Sequence, residues 1–291
     1  MLGELKELWK YRALLSTMVS RDLKIRYKNS FLGFLWSMIN PLTTVVVLTF
    51  VFKGINALQT PNYSAYLLAG YLPYMFFQSA LMDSAQSVVG NLNLIKKIYF
   101  PREILPLASI ISNFIHLILA IGVFFVYLLS IAVWHHDSSV FQWSILLLPV
   151  ALIINFFLVT GLGLLFSALN VFYEDVKYII SIGLYMLFFL CPIMWFSEIT
   201  YYPPSGSFRK FFLVHLDPVA TMAMFYRKIL LPPEKVQLPN TNLPITDPKA
   251  YGAGLPINWT LVGITAAFSV FILFYGYHVF NKMKWKFVER P

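Results

Sequence analysis

The stretch RDLKIRYKNSFLGFLWSMINP, residues 21–41, changes from a dense cationic surface to an uninterrupted apolar run. Arg21, Lys24, Arg26 and Lys28 precede the change, and no further Lys, Arg, Asp or Glu occurs until Lys53. Short segments rich in Lys and Arg stay on the cytoplasmic side of a membrane, because positive charge resists translocation. The stretch therefore predicts that a membrane-surface segment becomes a membrane span here, and that the N-terminus is cytoplasmic.

The composition supports a membrane protein. Of the 291 residues, 58% are hydrophobic and 12% are charged, whereas soluble proteins carry about 25% charged residues. Long apolar runs, rather than alternating polar and apolar residues, exclude a transmembrane β-barrel. The net charge of +9 could suggest nucleic acid, but the basic residues lie beside the ends of apolar runs, where topology and anionic lipids require them. The predicted fold class is an all-α polytopic membrane protein.

Six apolar runs are long enough to cross a hydrocarbon core of about 30 Å as helices. They are predicted at residues 31–52, 65–89, 104–134, 144–168, 179–196 and 257–280. Most of the basic residues fall before residue 31, in 91–103, in 170–178 and in the tail 281–291. Those pieces share one side of the membrane when six spans place both termini in the cytoplasm. The spans form one transmembrane domain, residues 31–280, followed by the basic cytoplasmic tail.

Residues 1–30 are predicted to hold an amphipathic interface helix, over residues 3–27. The helical period places Leu5, Leu8, Trp9, Leu15, Val19 and Leu23 on one arc. Arg12 and Ser16 interrupt this arc. Such a helix lies along the lipid headgroups with its apolar face towards the membrane. It could serve as a topology anchor only, or as a collar that also contacts a cytoplasmic partner.

Residues 197–230 are neither a span nor an ordinary loop. Their apolar pieces are too short to cross a membrane and are separated by Pro203-Pro204 and Asp217-Pro218. Irregular backbone at membrane depth survives only against protein or water, so re-entrant or interfacial gate helices are predicted here, before the last span. Residues 231–256 are polar and rich in Pro and Asn, which predicts an extracellular loop.

Several residues inside the spans have predicted structural roles. Asp83 is expected near a cytoplasmic end, wet or capped, in preference to a substrate role. Asn113 and His116 are expected to form interhelical hydrogen bonds. Gly161 and Gly163 permit two helices to approach closely. Pro192, which follows Cys191, is expected to break the fifth span.

The motifs of common catalytic centres are absent from the sequence. It contains no GxxxxGK[ST] phosphate loop, no HExxH zinc motif, no GxSxG nucleophile motif and no DDxxD pair. Lone intramembrane charges are too few for an ion-coupled carrier. The chain is therefore expected not to be an enzyme and to hold no metal or cofactor of its own. If it transports, ATP and Mg²⁺ are expected on a separate subunit.

Several of these stretches resemble type-2 ABC exporter permeases for cell-surface polysaccharides, including the O-antigen, capsule and wall-teichoic-acid exporters. The resemblance covers nearly the whole chain in order, and the teichoic-acid permeases look closest. The matching stretches are RDLKIRYKNSFLGFLWSMINPL (21–42), LLAGYLPYMFFQSAL (67–81), NLNLIKKIYFPREILP (91–106), LNVFYEDVKYII (169–180) and LDPVATMAMFYRKIL (216–230).

This resemblance implies a homodimer of permeases that binds two copies of a separate nucleotide-binding ATPase subunit. It also implies a bacterial cytoplasmic-membrane location and a substrate built on a polyprenyl-diphosphate lipid. The family often has Arg-Asp where this chain has Glu174-Asp175, which puts a basic contact from position 174 in doubt. It also often has Asn-Pro where this chain has Asp217-Pro218.

The same resemblance suggests three groups of functional residues. The short cytoplasmic connections would receive the push of the ATPase. The N-terminal cations would bind the lipid diphosphate, because Arg and Lys form charge-assisted hydrogen bonds to phosphate. Aromatic side chains would line a wet conduit for the glycan, although Trp and Tyr are also enriched at membrane interfaces regardless of function. The coupling residues are Lys96, Lys97, Glu174, Asp175 and Lys177; the diphosphate residues are Arg21, Lys24, Arg26 and Lys28; the conduit aromatics are Trp36, Tyr71, Tyr74, Trp195, Tyr201 and Tyr202.

Three other functions fit parts of the sequence. A permease of a drug or small-lipid ABC exporter would keep the fold and change the cargo. An integral-membrane transferase acting on polyprenyl phosphate would turn over with metal and without any ATPase. A channel would conduct ions in bilayers from this chain alone.

Overall fold

The computed structural model describes residues 2–27, 35–51, 63–135, 142–194, 217–232, 236–237, 251–252 and 257–288. Within those ranges the protein is helical apart from one two-residue antiparallel ladder. The α-helices are α1 (Leu2–Lys10), α2 (Arg12–Tyr27), α3 (Leu35–Thr49), α4 (Tyr63–Ser87), α5 (Leu92–Lys97), α6 (Ile104–His135), α7 (Leu148–Phe172), α8 (Val176–Leu190), α9 (Pro218–Leu230) and α10 (Trp259–Met283). Short 3-10 helices cover Val89–Asn91, Trp143–Leu147 and Lys284–Val288. The ladder pairs Val236–Gln237 with Tyr251–Gly252.

A helix occupies the place of each predicted span. Among the described residues, three stretches are long and apolar enough to cross a membrane: Ile104–Val133, Trp143–Phe172 and Trp259–Phe287. Helix α8 is apolar but shorter. It ends at Leu190 with Cys191 as its C-cap, as predicted from Pro192, because proline lacks the N–H that the helix ladder needs. The all-helical membrane architecture is confirmed, whereas the count of six spans stays a prediction.

The N-terminal segment differs from the single helix that was predicted. It forms two helices, α1 and α2, separated at Tyr11. Helix α2 packs against α6, and Met18 and Val19 are buried there in a cluster with Ile104 and Leu105. Trp9, at the start of the predicted apolar arc, is exposed on the protein surface. Part of the apolar face of this segment therefore covers protein.

Helix α4 lies at the centre of the bundle. It packs against α3, α6, α7, α8 and α9, and most of its residues are buried. Helix α9 is also buried along most of its length, packed on α4, α7 and α10. Its 13 residues span about 20 Å at 1.5 Å per residue, which is too short to cross a bilayer core. Of the predicted gate segment 197–230, residues 197–216 lie outside the described part of the chain.

Helices α7 and α10 approach each other closely at Gly161 and Gly276. A Cβ atom added to Gly276 would lie 2.0 Å from the carbonyl oxygen of Gly161. A Cβ atom added to Gly161 would lie 2.5 Å from the backbone of Ile272. A Cβ atom on Gly163 would lie 2.7 Å from Ser84 Oγ on α4. The predicted role of Gly161 and Gly163 in close packing is confirmed, since side chains at these positions would push the helices apart.

Candidate functional site

Arg26 on α2 joins a polar cluster with Asp83 of α4 and Asn113 of α6. Arg26 Nη2 donates to Asp83 Oδ2 at 2.8 Å, and Nη1 donates to Asn113 Oδ1 at 3.1 Å. Asn113 Nδ2 donates to the same Asp83 oxygen at 2.8 Å. The interhelical role predicted for Asn113 is confirmed. The Asp83 side chain is accessible to solvent, as predicted, and it also forms an ion pair with Arg26, one of the predicted diphosphate residues.

Arg21 and Lys24 lie on the same helix. Arg21 Nη1 donates to Asn91 Oδ1 at 3.1 Å, and Arg21 Nη2 pairs with Asp22 at 3.0 Å. Lys24 lies between the two arginines and is exposed. Lys28 lies outside the described residues. Arg21 and Arg26 therefore also fasten α2 to the rest of the protein, whereas Lys24 is exposed and has no such interhelical bond among the described contacts.

The predicted coupling residues lie at two turns. Lys96 and Lys97 are exposed at the end of α5, and Glu174 and Asp175 are exposed between α7 and α8. The backbone N–H of Lys177 donates to Asn170 Oδ1 at 3.2 Å, while Asn170 Nδ2 donates to the carbonyl of Ala85 at 3.0 Å. Asn170 thus fixes the second turn to α4, so that a displacement of this turn would be passed to the central helix.

Sequence reasoning missed a cluster that we name the tail junction: Arg102, Glu103, Lys284, Trp285 and Phe287. Lys284 Nζ lies 2.6 Å from Glu103 Oε1, and these side chains are only 13% and 2% exposed. The guanidinium carbon of Arg102 lies 5.8 Å from the ring centroid of Trp285. The sequence shows Glu103 at the end of the basic segment 91–103 and a basic C-terminal tail. No local pattern indicates that Glu103 and Lys284 form a pair.

Phe287 holds the tail junction against two long helices. Its side chain is fully buried, and its ring centroid lies 5.9 Å from that of Phe172 and 5.5 Å from that of Phe280. Phe172 is the last residue of α7, just before the turn that carries Glu174 and Asp175. The 3-10 segment Lys284–Val288 also packs against α5. The tail therefore contacts both of the connections predicted to couple to an ATPase.

Two of the predicted conduit aromatics have described side chains. Tyr71 is half-buried, with its ring centroid 5.9 Å from that of Phe188. Tyr74 is buried, and its hydroxyl donates to the carbonyl of Leu184 on α8. Trp195, Tyr201 and Tyr202 lie outside the described residues, as does the side chain of Trp36, whose backbone belongs to α3. The described aromatics thus pack α4 against α8, and Tyr71 alone of the two keeps partial exposure.

A second cluster missed by sequence reasoning surrounds the break after α8. Arg227 on α9 is buried, and its Nε donates to the carbonyl of Tyr66 at 3.0 Å while Nη1 donates to the Tyr66 hydroxyl at 3.1 Å. Its guanidinium carbon lies 3.8 Å from the ring centroid of Tyr66. Arg227 also donates to the carbonyls of Pro192 and Ile193. The Tyr63 hydroxyl donates to the carbonyl of Met194 at 2.6 Å.

The Arg227 cluster satisfies the backbone that the helix break exposes. Carbonyls that follow the end of a helix have no helical partner, and when they are buried they need another donor. Three consecutive carbonyls, at residues 192–194, are here supplied by side chains of α9 and α4. Gly70 makes room for the guanidinium, because a Cβ atom there would lie 2.7 Å from Arg227 Nε.

The start of α9 is fixed to the same break. Asp217 caps the helix, since its Oδ1 accepts from the backbone N–H of Val219 at 2.9 Å. Its Oδ2 accepts from the thiol of Cys191, with 2.9 Å between the sulfur and oxygen atoms. Among the described residues, no group of three or more His, Cys, Asp or Glu side chains could hold a metal ion.

Comparison with known proteins identifies the family of this chain. The profile of the ABC-2 type transporter family matches residues 13–230. This chain belongs to the ABC-2 type transporter family. It is 30% identical to an O-antigen export system permease protein, RfbA, of Klebsiella pneumoniae, over 95% of this chain and 94% of that protein. It is 28% identical to an RfbA protein of Myxococcus xanthus, over 79% of this chain and 84% of that protein. It is 23% identical to the polysialic acid transport protein KpsM of Escherichia coli, over 73% and 79% of the two chains.

The family assignment confirms the resemblance to type-2 ABC exporter permeases. The ABC-2 match spans α2 to α9 and includes both predicted coupling turns and the Arg26 cluster. It identifies the chain as a multi-pass membrane protein of a transport family, in agreement with the apolar helices. The last helix and the tail junction's C-terminal residues fall beyond the matched range.

Proposed function

We propose that this chain is the permease subunit of an ATP-driven exporter that moves a polyprenyl-diphosphate-linked surface polymer across the bacterial cytoplasmic membrane. The observation that carries the proposal is near full-length similarity to proteins named as O-antigen export permeases. Their names favour a polysaccharide as cargo; a teichoic acid remains the variant suggested by the sequence resemblance. A drug or small-lipid exporter would share the fold but has no support among these names.

The motor of the exporter is a separate subunit. The sequence lacks the phosphate loop with which P-loop ATPases cradle nucleotide, so ATP and Mg²⁺ are assigned to a partner. We infer a complex of two permeases and two nucleotide-binding subunits, with both permease termini in the cytoplasm. Basic pieces before residue 31, in 91–103, in 170–178 and in the tail support this orientation.

The motor acts on the two cytoplasmic turns. Lys96 and Lys97 at the first, and Glu174, Asp175 and Lys177 at the second, are offered as its contacts. Charged groups at an interface fix register and partner choice more than they add affinity. Asn170 and Phe172 join the second turn to α4 and to the tail junction, which gives a mechanical route from that turn into the bundle.

The decisive experiment is recovery of the chain from its native membrane and identification of any co-purifying ATPase. Asp175→Arg is expected to lower recovery of that ATPase and to abolish export, because it reverses charge at the exposed second turn. Lys10→Glu, a charge reversal at an exposed position of α1, is the matched control and should leave both unchanged. Normal recovery and export for Asp175→Arg would remove the coupling assignment.

The lipid diphosphate is assigned to the cationic face of α2. Arg21 and Arg26 are also bound to Asn91 and Asp83, so their replacement by Gln would disturb packing as well as phosphate binding. Lys24→Gln is the cleaner variant, since Lys24 is exposed. It should reduce export while membrane insertion and ATPase recovery stay normal. Unchanged export would limit the N-terminal cations to a role in topology.

The glycan would pass along aromatic side chains in the conduit. The candidates for stacking on sugar rings are Tyr71, Trp36, Trp195, Tyr201 and Tyr202. Tyr74 is buried and would contribute by packing the conduit wall. Tyr71→Ala should lower export more than Tyr71→Phe, because the ring and not the hydroxyl stacks. Equal export by both variants and the wild type would remove Tyr71 from the conduit.

A further inference from the structure

Trp285 is an exposed aromatic side chain on a firmly held segment. It is 62% exposed, yet its neighbour Lys284 is tied to buried Glu103 at 2.6 Å and Phe287 is fully buried. Arg102 and Lys284 both lie near its ring, at 5.8 and 5.6 Å from the centroid. The indole is thus displayed without the mobility of a free tail. Such preorganisation lowers the cost of binding a partner.

The surface beside Trp285 carries mainly basic and apolar side chains, together with Glu7 of α1, whose Oε1 accepts from the Tyr99 hydroxyl at 3.3 Å. Ile98 and Tyr99 are largely exposed in the connection that follows α5. Lys96, Lys97 and Lys286 are exposed as well. The segment Lys284–Val288 packs on α5, so the two sets of side chains form a continuous patch. Trp and Tyr are enriched in protein-interface hot spots, and polar or charged side chains form the rim around them.

We propose that the segment Lys284–Val288 is part of the docking surface for the nucleotide-binding subunit, with Trp285 as its apolar anchor and Lys286 as a charged contact. This inference rests on the proposed function and extends its contact from the two cytoplasmic turns to the C-terminal tail. The partner surface would combine an apolar pocket for the indole with acidic residues facing Lys96, Lys97 and Lys286. Such complementary charge steers association and fixes orientation.

The position of the patch favours a protein over lipid headgroups. Trp285 is continuous with the α5 turn, which the proposed function assigns to the ATPase. Phe287 links the same segment to Phe172, beside the second predicted contact. A single docked subunit can therefore touch α5, the tail and the Glu174–Asp175 turn. If Trp285 bound lipid headgroups instead, the tail would make no contact with the ATPase.

The test compares two exposed tryptophans. The ATPase subunit recovered with the wild-type chain is expressed and titrated against detergent-purified full-length variants. Trp9, on α1, is the matched control because it is 70% exposed and has Arg12 at 5.4 Å from its ring centroid. Trp285→Ala should weaken ATPase binding about tenfold or more, as expected for a hot-spot residue. Lys286→Glu should weaken it by about threefold to tenfold, more strongly at low salt. Trp9→Ala should bind like the wild type.

Each outcome separates the two proposals. If the wild-type chain binds no ATPase, the proposed function fails, and this inference fails with it. If the wild type binds and Trp285→Ala binds as tightly as Trp9→Ala, the docking role of the tail is overturned and the proposed function stands. Thermal unfolding in detergent is measured for every variant. Should Trp285→Ala unfold, Lys286→Glu decides: weakened binding with unchanged unfolding supports the tail contact, and unchanged binding overturns it.

Discussion

At the scale of single residues, Arg227 illustrates how one buried side chain can hold an irregular backbone in place. A guanidinium has five N–H donors in a fixed planar fork. Arg227 donates to the carbonyl and hydroxyl of Tyr66 on α4 and to the carbonyls that follow α8. The stacked ring of Tyr66 adds a cation–π contact. In the sequence, Arg227 and Lys228 are only a basic pair that follows a short apolar piece.

We expect Arg227→Met to lower the free energy of unfolding by about 3 kcal/mol or more, because buried carbonyl acceptors left without donors cost about 1–3 kcal/mol each. Thermal unfolding in detergent, followed by circular dichroism, measures the loss. Arg12→Met, at an exposed arginine of α2, is the control and should change stability by less than about 0.5 kcal/mol. Equal stability of the two variants would contradict the structural role of Arg227.

Asp83 tests the two roles that its sequence position leaves open. Its ion pair with Arg26 is 2.8 Å long, but the side chains of Arg26 and Asp83 are 36% and 43% exposed. Pairs this accessible to solvent contribute only about 0–1 kcal/mol. Asp83→Asn should therefore change unfolding by less than about 1 kcal/mol and leave export intact. Loss of export from a folded Asp83→Asn variant that still recovers the ATPase would instead assign Asp83 to the transport path.

At the scale of helices, the contact between α7 and α10 requires glycine at Gly161 and Gly276. The backbone of Gly276 approaches that of Gly161 so closely that a methyl group must displace a helix rather than a side chain. Gly276→Ala is expected to destabilise the protein by about 1–3 kcal/mol, the usual cost of overpacking, and to lower the yield of folded chain. The measurement is thermal unfolding after detergent extraction.

Gly263 supplies the matched control on the same helix. A Cβ atom at Gly263 meets nothing within 4 Å, so Gly263→Ala changes the same backbone propensity without any collision. It should be neutral or slightly stabilising, because alanine favours a helix over glycine by about 1 kcal/mol. If both alanine variants lower stability equally, the close approach of α7 and α10 is not the cause.

The helices themselves were largely predictable, and their cross-contacts were not. Apolar run length located α6, α7 and α10, and Pro192 located the end of α8, because both signals act within a few residues. The pairs Glu103–Lys284 and Arg26–Asp83 join residues far apart in sequence, so a single sequence carries no local trace of them. The break at Tyr11 was missed because the apolar arc continues across it.

At the scale of the whole molecule, the candidate sites fall into two groups according to their position along the helices. The cationic face of α2, the α5 turn and the tail junction lie in segments whose basic residues predict a cytoplasmic location. The Arg227 cluster lies at the other end of α8 from the Glu174–Asp175 turn. A push on that turn and a release of the α8 break would thus occur at opposite ends of one helix. Every functional proposal depends on the orientation of the bundle.

Orientation can be measured with cysteine labelling, because the chain has a single cysteine. Cys191 is buried and is replaced by Ser, and one new cysteine is then introduced at an exposed cytoplasmic candidate, Lys10 or Lys286, or at Thr241 in the predicted extracellular loop. An impermeant maleimide should label Thr241→Cys in intact spheroplasts, and Lys10→Cys and Lys286→Cys only after permeabilisation, since basic termini resist translocation. Labelling of either terminal cysteine in intact spheroplasts would show that the orientation is the reverse of the one predicted. The ATPase, which needs cytoplasmic nucleotide, could then reach neither α5 nor the tail.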